Sequence, residues 1–309
     1  MTPASKSSWR KRLLDLRAWV FYCFPHHWLS TATYWLSRIE IPAVKNLLIR
    51  SFVSFFGLRM KDAEIEDPEE YPTLNALFVR TLKKDIRPWP EDPSVLAAPC
   101  DSRVSQFGQI EEGRIIQAKG WTFTVDELLG GSHPEFAQGR FATLYLSPDD
   151  CHRVYMPTDG QLIEMCHIPG RQFTVASYAV ERIPRLYARN ERVASLFEDP
   201  DGIPFAIIMV GAVNVASIEM GWCGIVAPRR RSISRWQYDR NTPSVELRQS
   251  DELGCFHLGS TVVVLSGHQD HQWNPGIEAG QAVTYGQPLL LPKVEGGDTP
   301  PGVPQGGTE

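Results

Sequence analysis

The 309-residue sequence predicts an α+β protein, with N-terminal amphipathic helices followed by a compact, mainly antiparallel β body that is barrel-like in outline. Two observations carry that reading. Apolar residues recur at helical spacing through residue 56, and from Val95 onward they fall in short runs punctuated by Gly, Pro and Asp. With 42% hydrophobic and 22% charged residues, the chain has enough apolar content to bury one sizeable core and excludes an intrinsically disordered protein.

Residues 1–60 read as helices broken at Pro25 and Pro42. On a helix, Trp9, Leu13, Leu16, Val20 and Phe24 fall on one side, with Arg10 and Arg17 along one margin and Arg12 along the other. Val44, Leu47, Leu48, Phe52, Phe55 and Phe56 repeat the pattern, while Lys45 and Arg50 lie off it. Residues 1–61 hold ten Lys or Arg against Asp15 and Glu40, a net +8, which leaves −13 for the rest of a chain whose total is −5. A basic head on an acidic body points to an anionic partner, lipid or nucleic acid. Apolar faces fringed by cations, with Trp9, Trp19, Trp28 and Trp35 nearby, favour lipid over nucleic acid and suit helices lying among headgroups; packing on the core or on a second subunit is the alternative. No stretch reaches ~20 mainly apolar residues, and the N-terminus lacks a signal-peptide cleavage pattern. The expected placement is peripheral, on the cytoplasmic face of the cell membrane.

Residues 64–93 form a connecting region with a short helix at 74–82. Strands are expected at 114–118, 141–146, 161–168, 205–215, 261–265 and 287–291, and the Gly- and Pro-rich tail 295–309 should be disordered. This divides the chain into membrane-associating helices (1–60), a catalytic body (61–294) and a tail. The six cysteines show no Cys-x-x-Cys pair and fit reduced thiols.

Chemistry concentrates at Gly259-Ser260-Thr261, which opens the run Val262-Val263-Val264-Leu265. Glycine leaves its carbonyl unshielded and tolerates strained angles, so the Ser260 hydroxyl can attack the preceding peptide carbon. That converts the amide to an ester; elimination and hydrolysis then leave a pyruvoyl group on the new N-terminus. A serine hydrolase elbow is the competing reading, but Leu258 and Val262 stand where the elbow requires glycines. A plain buried strand is the other.

Several segments, in order, decide between them: Leu77-Phe78-Val79-Arg80, Ala98-Pro99-Cys100-Asp101, Gln117-Ala118-Lys119-Gly120, the run from Leu146 to Val154, that from Ala188 to Val193, Ser217-Ile218-Glu219, and Leu258-Gly259-Ser260-Thr261. Together they resemble the phosphatidylserine decarboxylase family, over about residues 52–291. The resemblance implies a pyruvoyl cofactor made from Ser260 by cleavage after Gly259, and an Asp-His-Ser relay whose acid is Asp101. It makes His152, the first histidine of a His-x-x-His motif, the candidate general acid for decarboxylation. It further implies a heterodimer of self-derived large and small chains, with further homodimerisation, acting on phosphatidylserine in an anionic membrane through a Schiff base.

Two positions depart from the family pattern. Tyr155 replaces the second histidine, and a phenol of pKa ~10 is a poor base at neutral pH, so the base for maturation has no assignment. Ala176 stands where the family carries an asparagine. These departures keep two further readings in view, a pyruvoyl decarboxylase with a different substrate and an uncleaved noncatalytic homologue. His268-Gln269-Asp270-His271 reads as a solvated loop without a recognisable metal-ligand set, and Arg229-Arg230-Arg231 as a charged turn able to meet a phosphate.

Overall fold

The computed structural model describes residues 26–213, 217–227, 232–238, 244–258 and 260–293. The apolar face from Trp9 to Phe24, the Arg229–Arg231 run, Gly259 and the tail therefore lie outside the described residues. Helices are α1 (His26–Leu36), α2 (Pro42–Phe56), α3 (Leu74–Phe78), α4 (Val125–Leu129), α5 (Ser177–Val180) and α6 (Leu186–Arg189). The strands begin with β1 (Leu96–Ala97), β2 (Ser102–Gln109), β3 (Arg114–Ala118), β4 (Trp121–Thr124), β5 (Arg140–Leu146) and β6 (Arg153–Tyr155). They continue with β7 (Gly160–Ile168), β8 (Arg192–Glu198), β9 (Pro204–Gly211), β10 (Ser217–Met220), β11 (Gly224–Ala227) and β12 (Ser234–Gln237). The last are β13 (Glu246–Leu247), β14 (Glu252–His257), β15 (Ser260–Ser266), β16 (His271–Trp273), β17 (Ala282–Val283) and β18 (Pro288–Pro292).

The largest sheet is antiparallel, in the order β12-β7-β8-β9-β15-β5-β2-β17, with β13 also on β7. Its central strand β15 is buried at all seven positions, as a continuous β-branched run must be when both faces are covered. The barrel-like outline is corrected in one respect: β12 and β17 end the sheet without pairing to each other, so it is open. The two residues of β17 already pair with β2 and extend the ladder no further. Smaller sheets run β11-β10-β14-β6, β1-β18-β16 and β3-β4.

The helix expected at 74–82 stops at Phe78. Thr73 caps its start by accepting from the Ala76 N–H, and the chain then leaves the helix so that Leu82 can bridge Ala63.

α2 starts on Pro42, where a missing N–H is harmless, and ends on Gly57 at φ 69°. Fully buried Ile49 packs with Leu58, Tyr71 and Leu77, a burial contributing about 1.5–3 kcal/mol. Lys45, Asn46 and Arg50 all reach Glu69, so two cations and an amide clamp the helix to the body. The opposite side stays apolar and exposed at Val44, Leu47 and Phe55, the last at 82%.

Candidate active site around Ser260

β14, which ends at His257, belongs to the four-stranded sheet and β15, which begins at Ser260, to the large one, so the chain changes sheets between them. Leu258 takes the abrupt turn at φ 79°, a left-handed conformation costing a branched residue about 1–3 kcal/mol. Ser260 then enters the ladder between Leu146 of β5 and Gly211 of β9. It has no solvent exposure, and its Oγ has no hydrogen-bond partner among the described residues. A buried hydroxyl without a partner is costly and therefore informative.

Ser260 lines a mainly apolar cavity of about 190 Å³, walled by Phe52 and Phe56 of α2, Phe78 of α3, Thr174, Ala176 and Leu258 among others. Ala176, at the position of the expected amide, therefore faces this cavity with a methyl group. The buried Cys100, Cys151, Cys166 and Cys255 form no disulfide, in keeping with the reduced thiols expected, and burial pushes the Cys151 thiol up to about 11.

His152 is fully buried, its ring 3.9 Å from the Phe78 ring centroid to centroid, and so it meets the cavity through Phe78. Nδ1 lies 3.1 Å from the Asp150 carbonyl oxygen, an acceptor, which fixes the proton on Nδ1 and leaves a lone pair on Nε2. That Nε2 has no partner among the described residues. Burial lowers the imidazole to about 3, with Arg80 adding to the effect. Near-neutral titration of this group, the premise for its role as acid, is thus corrected for the precursor: it is a neutral ring offering a lone pair. Arg80 is buried as well, donating Nη2 to the Asp149 carbonyl at 2.7 Å while Nε and Nη1 have no partner.

Asp101 is held elsewhere. Its Oδ2 accepts from Arg87 Nη2 at 3.0 Å, and its Oδ1 accepts from the Tyr285 N–H at 3.0 Å. No described contact joins Asp101 to His152 or Ser260. Tyr155 lies on the Asp101 side, its ring 4.6 Å from that of Tyr285, and burial raises its phenol further above the ordinary tyrosine range.

Sequence reasoning missed one group. His257, three residues before Ser260, places Nε2 2.8 Å from Glu219 Oε2 and Nδ1 3.0 Å from the Asn75 amide nitrogen. The period-two alternation of β14, which puts Cys255 and His257 on one face, was the available signal. Both nitrogens of His257 are occupied, in contrast to His152.

Fold and site define a class of protein: an open antiparallel sheet whose central strand begins on a buried, unpaired serine hydroxyl beneath an apolar cavity. The chain belongs to the phosphatidylserine decarboxylase family, whose model matches residues 74–291, and a second model described as PSD matches residues 16–57. It is 46% identical over 272 residues to the phosphatidylserine decarboxylase proenzyme of Azotobacter vinelandii, covering 87% of this chain and 95% of that one. The proenzyme of the same name from Alkalilimnicola ehrlichii is 48% identical over 256 residues, 81% of this chain and 88% of the relative. That of Stutzerimonas stutzeri is 44% identical over 272 residues, 87% and 91% of the respective chains.

Proposed function

We propose that this chain cuts itself between Gly259 and Ser260 and then decarboxylates phosphatidylserine to phosphatidylethanolamine, as a peripheral enzyme of an anionic membrane. The observation that carries the reading is a pair of orphans: an O–H without an acceptor on Ser260 and a lone pair without a donor on His152, both fully buried and both bordering Phe78 or its cavity. Self-cleavage uses the first. Ser260 Oγ adds to the Gly259 carbonyl carbon, and the peptide C–N bond breaks to leave an ester and a free amine. Loss of the Ser260 Cα proton then expels the Gly259 carboxylate, and water displaces the nitrogen as ammonia, leaving the pyruvoyl group. Strain at Leu258 is released when the bond opens.

Once formed on Ser260, the pyruvoyl group would supply an electrophilic carbonyl able to hold the headgroup amine and act as an electron sink for decarboxylation. The apolar walls disfavour a charged substrate carboxylate. Arg80 has two free N–H donors for the carboxylate or phosphate of the headgroup. An anionic substrate beside His152 raises its proton affinity, so that a proton gained on binding can be delivered to the carbon that lost carbon dioxide.

The membrane role rests on α2. Phe55 is exposed while its neighbours Phe52 and Phe56 wall the cavity, so one helix faces outward with apolar side chains and inward on the site. No described helix is long and apolar enough to cross a membrane. Residues 1–60 would then dock, 61–294 carry the chemistry, and the cut chains remain together because β15 is paired on both edges. Homodimerisation and a cytoplasmic face complete the reading.

Intact mass of the purified protein tests it. Wild type should yield fragments 1–259 and 260–309, and Ser260→Ala an unbroken chain. The noncatalytic reading, favoured by the raised phenol of Tyr155, requires an unbroken wild type.

A further inference from the structure

Beyond the far end of β15 lies a second constellation, on residues the proposed chemistry does not use. We propose that His268, Asp270 and His271 bind a divalent transition metal ion of the zinc type.

The tautomers make the case. His268 Nε2 lies 2.7 Å from Asp199 Oδ2, and His271 Nε2 lies 2.9 Å from the Ser94 carbonyl oxygen. Both partners only accept, so each neutral ring carries its proton on Nε2 and its lone pair on Nδ1. The two Nδ1 atoms turn to the same carboxylate oxygen, Asp270 Oδ1, at 3.6 Å from His268 and 3.1 Å from His271. Three electron-rich atoms thus face one another. His268 Nδ1 is buried and has no hydrogen-bond partner. His271 Nδ1 lies within hydrogen-bond distance of Asp270 Oδ1 while His268 Nδ1 does not, and the two ring centroids are 4.0 Å apart. One metal ion satisfies all three.

The separations fit. All three donors lie within 4.8 Å of one another. Ligands bound tetrahedrally at zinc distances are roughly 3.3 Å apart, between the two observed spacings. Outer hydrogen bonds from ligating histidines to a carboxylate and a backbone carbonyl are the arrangement that orients such rings. The loop is held before any ion arrives: Arg140 Nε donates to the His271 carbonyl at 2.7 Å, Nη2 donates to that of Gln269, and the His268 N–H donates to Ser266 Oγ. His268 and His271 are 8% and 3% exposed, while the Asp270 side chain at 74% leaves room for water to complete the coordination. Asp199 also lines a cavity of about 580 Å³ with Asp159, Glu198 and Glu246 against Arg248, a negative surround that attracts cations.

Both imidazoles are buried, where the sequence suggests a solvated loop. The third ligand is the Asp270 inside the motif, and the groups that orient the rings come from Asp199 and Ser94, far away in sequence. Glu219, Cys255 and His257 also cluster, but there no imidazole nitrogen is left without a partner among the described residues, as His268 Nδ1 is.

The test is titration of chelator-treated full-length protein with Zn²⁺ by calorimetry and with Co²⁺ by visible absorption. One equivalent should bind with micromolar or tighter affinity, and Co²⁺ should give a ligand-field band. His268→Gln with His271→Gln should abolish both signals. The exposed Asp270→Asn, which does not disturb the core, should weaken binding at least about tenfold, as should Asp199→Asn. Cys255→Ser should change nothing. Absence of saturable binding, or binding that survives Asp270→Asn at full strength, or loss through Cys255→Ser alone, overturns the proposal.

Discussion

Ser260 and Ser266 close the two ends of one strand, share β5 and β9 as neighbours, and are equally buried. They differ in hydrogen bonding. Ser266 Oγ accepts from the His268 N–H at 3.2 Å, whereas Ser260 Oγ has no partner among the described residues and stands two positions after Leu258, which is in left-handed strain. Burial alone therefore does not separate the two serines; under the proposed function it is an unsatisfied hydroxyl close to the strained Leu258 that sets Ser260 apart. The ends also differ in surroundings, apolar rings at the first and carboxylates at the second.

The sharpest way to break this comparison is to remove each hydroxyl in turn. Ser260→Ala should abolish chain cleavage and decarboxylation completely, read by intact mass and carbon dioxide release. Ser266→Ala should leave both intact and lose only about 0.5–1.5 kcal/mol of stability, the net worth of one hydrogen bond. Equal behaviour of the two variants would remove the distinction.

Next in size is the exposed apolar side of α2, at the first end. Leu47→Glu with Phe55→Glu places two charges on exposed positions of α2 without touching Ile49 or the Glu69 clamp. Turnover in anionic vesicles should fall at least about tenfold, while turnover of a short-chain soluble substrate stays within a factor of two. Equal loss on both substrates would place these residues in the chemistry and not in docking.

The two ends were unequally legible in the sequence. β15 was readable because Val262 to Leu265 is too apolar and β-branched for anything but a buried strand, and Ser260 because it stands beside Gly259. The helix through residue 82 was overextended, since local pattern does not reveal the Ala63–Leu82 bridge that ends it. His152 is singled out by the sequence, but its lowered proton affinity is not legible there, because complete burial against Phe78 is a tertiary fact. The His268 end was invisible for the same reason: the acceptors that set both tautomers are Asp199 and Ser94.

His152 predicts a smaller, pH-dependent effect. Its folded value of about 3 lies below the ordinary 6.5, so between those limits the unfolded chain binds a proton that the folded chain refuses. Its contribution is fully retained above about 6.5 and is lost progressively as pH falls toward 3. Asp150 next to it, with its carboxyl raised by burial, acts in the opposite sense, so the informative quantity is the difference between variants. Thermal unfolding of His152→Gln should fall less steeply than wild type on acidification through this window. Parallel curves would show that the imidazole is charged in the folded chain.

The smallest expected effect is the most discriminating for maturation. Tyr155 stands at the family's second-histidine position, yet burial raises its phenol, and its ring packs on Tyr285 beside Asp101. A phenol that stays protonated takes no proton from Ser260 at neutral pH, so Tyr155→Phe should change the rate of self-cleavage less than twofold. The aromatic packing is kept, which makes a folding defect a poor explanation of any change. A large loss would instead show that the hydroxyl donates to the oxygen bearing negative charge as Ser260 attacks, and would move the maturation machinery from the His152 side of the cavity to the Asp101 side.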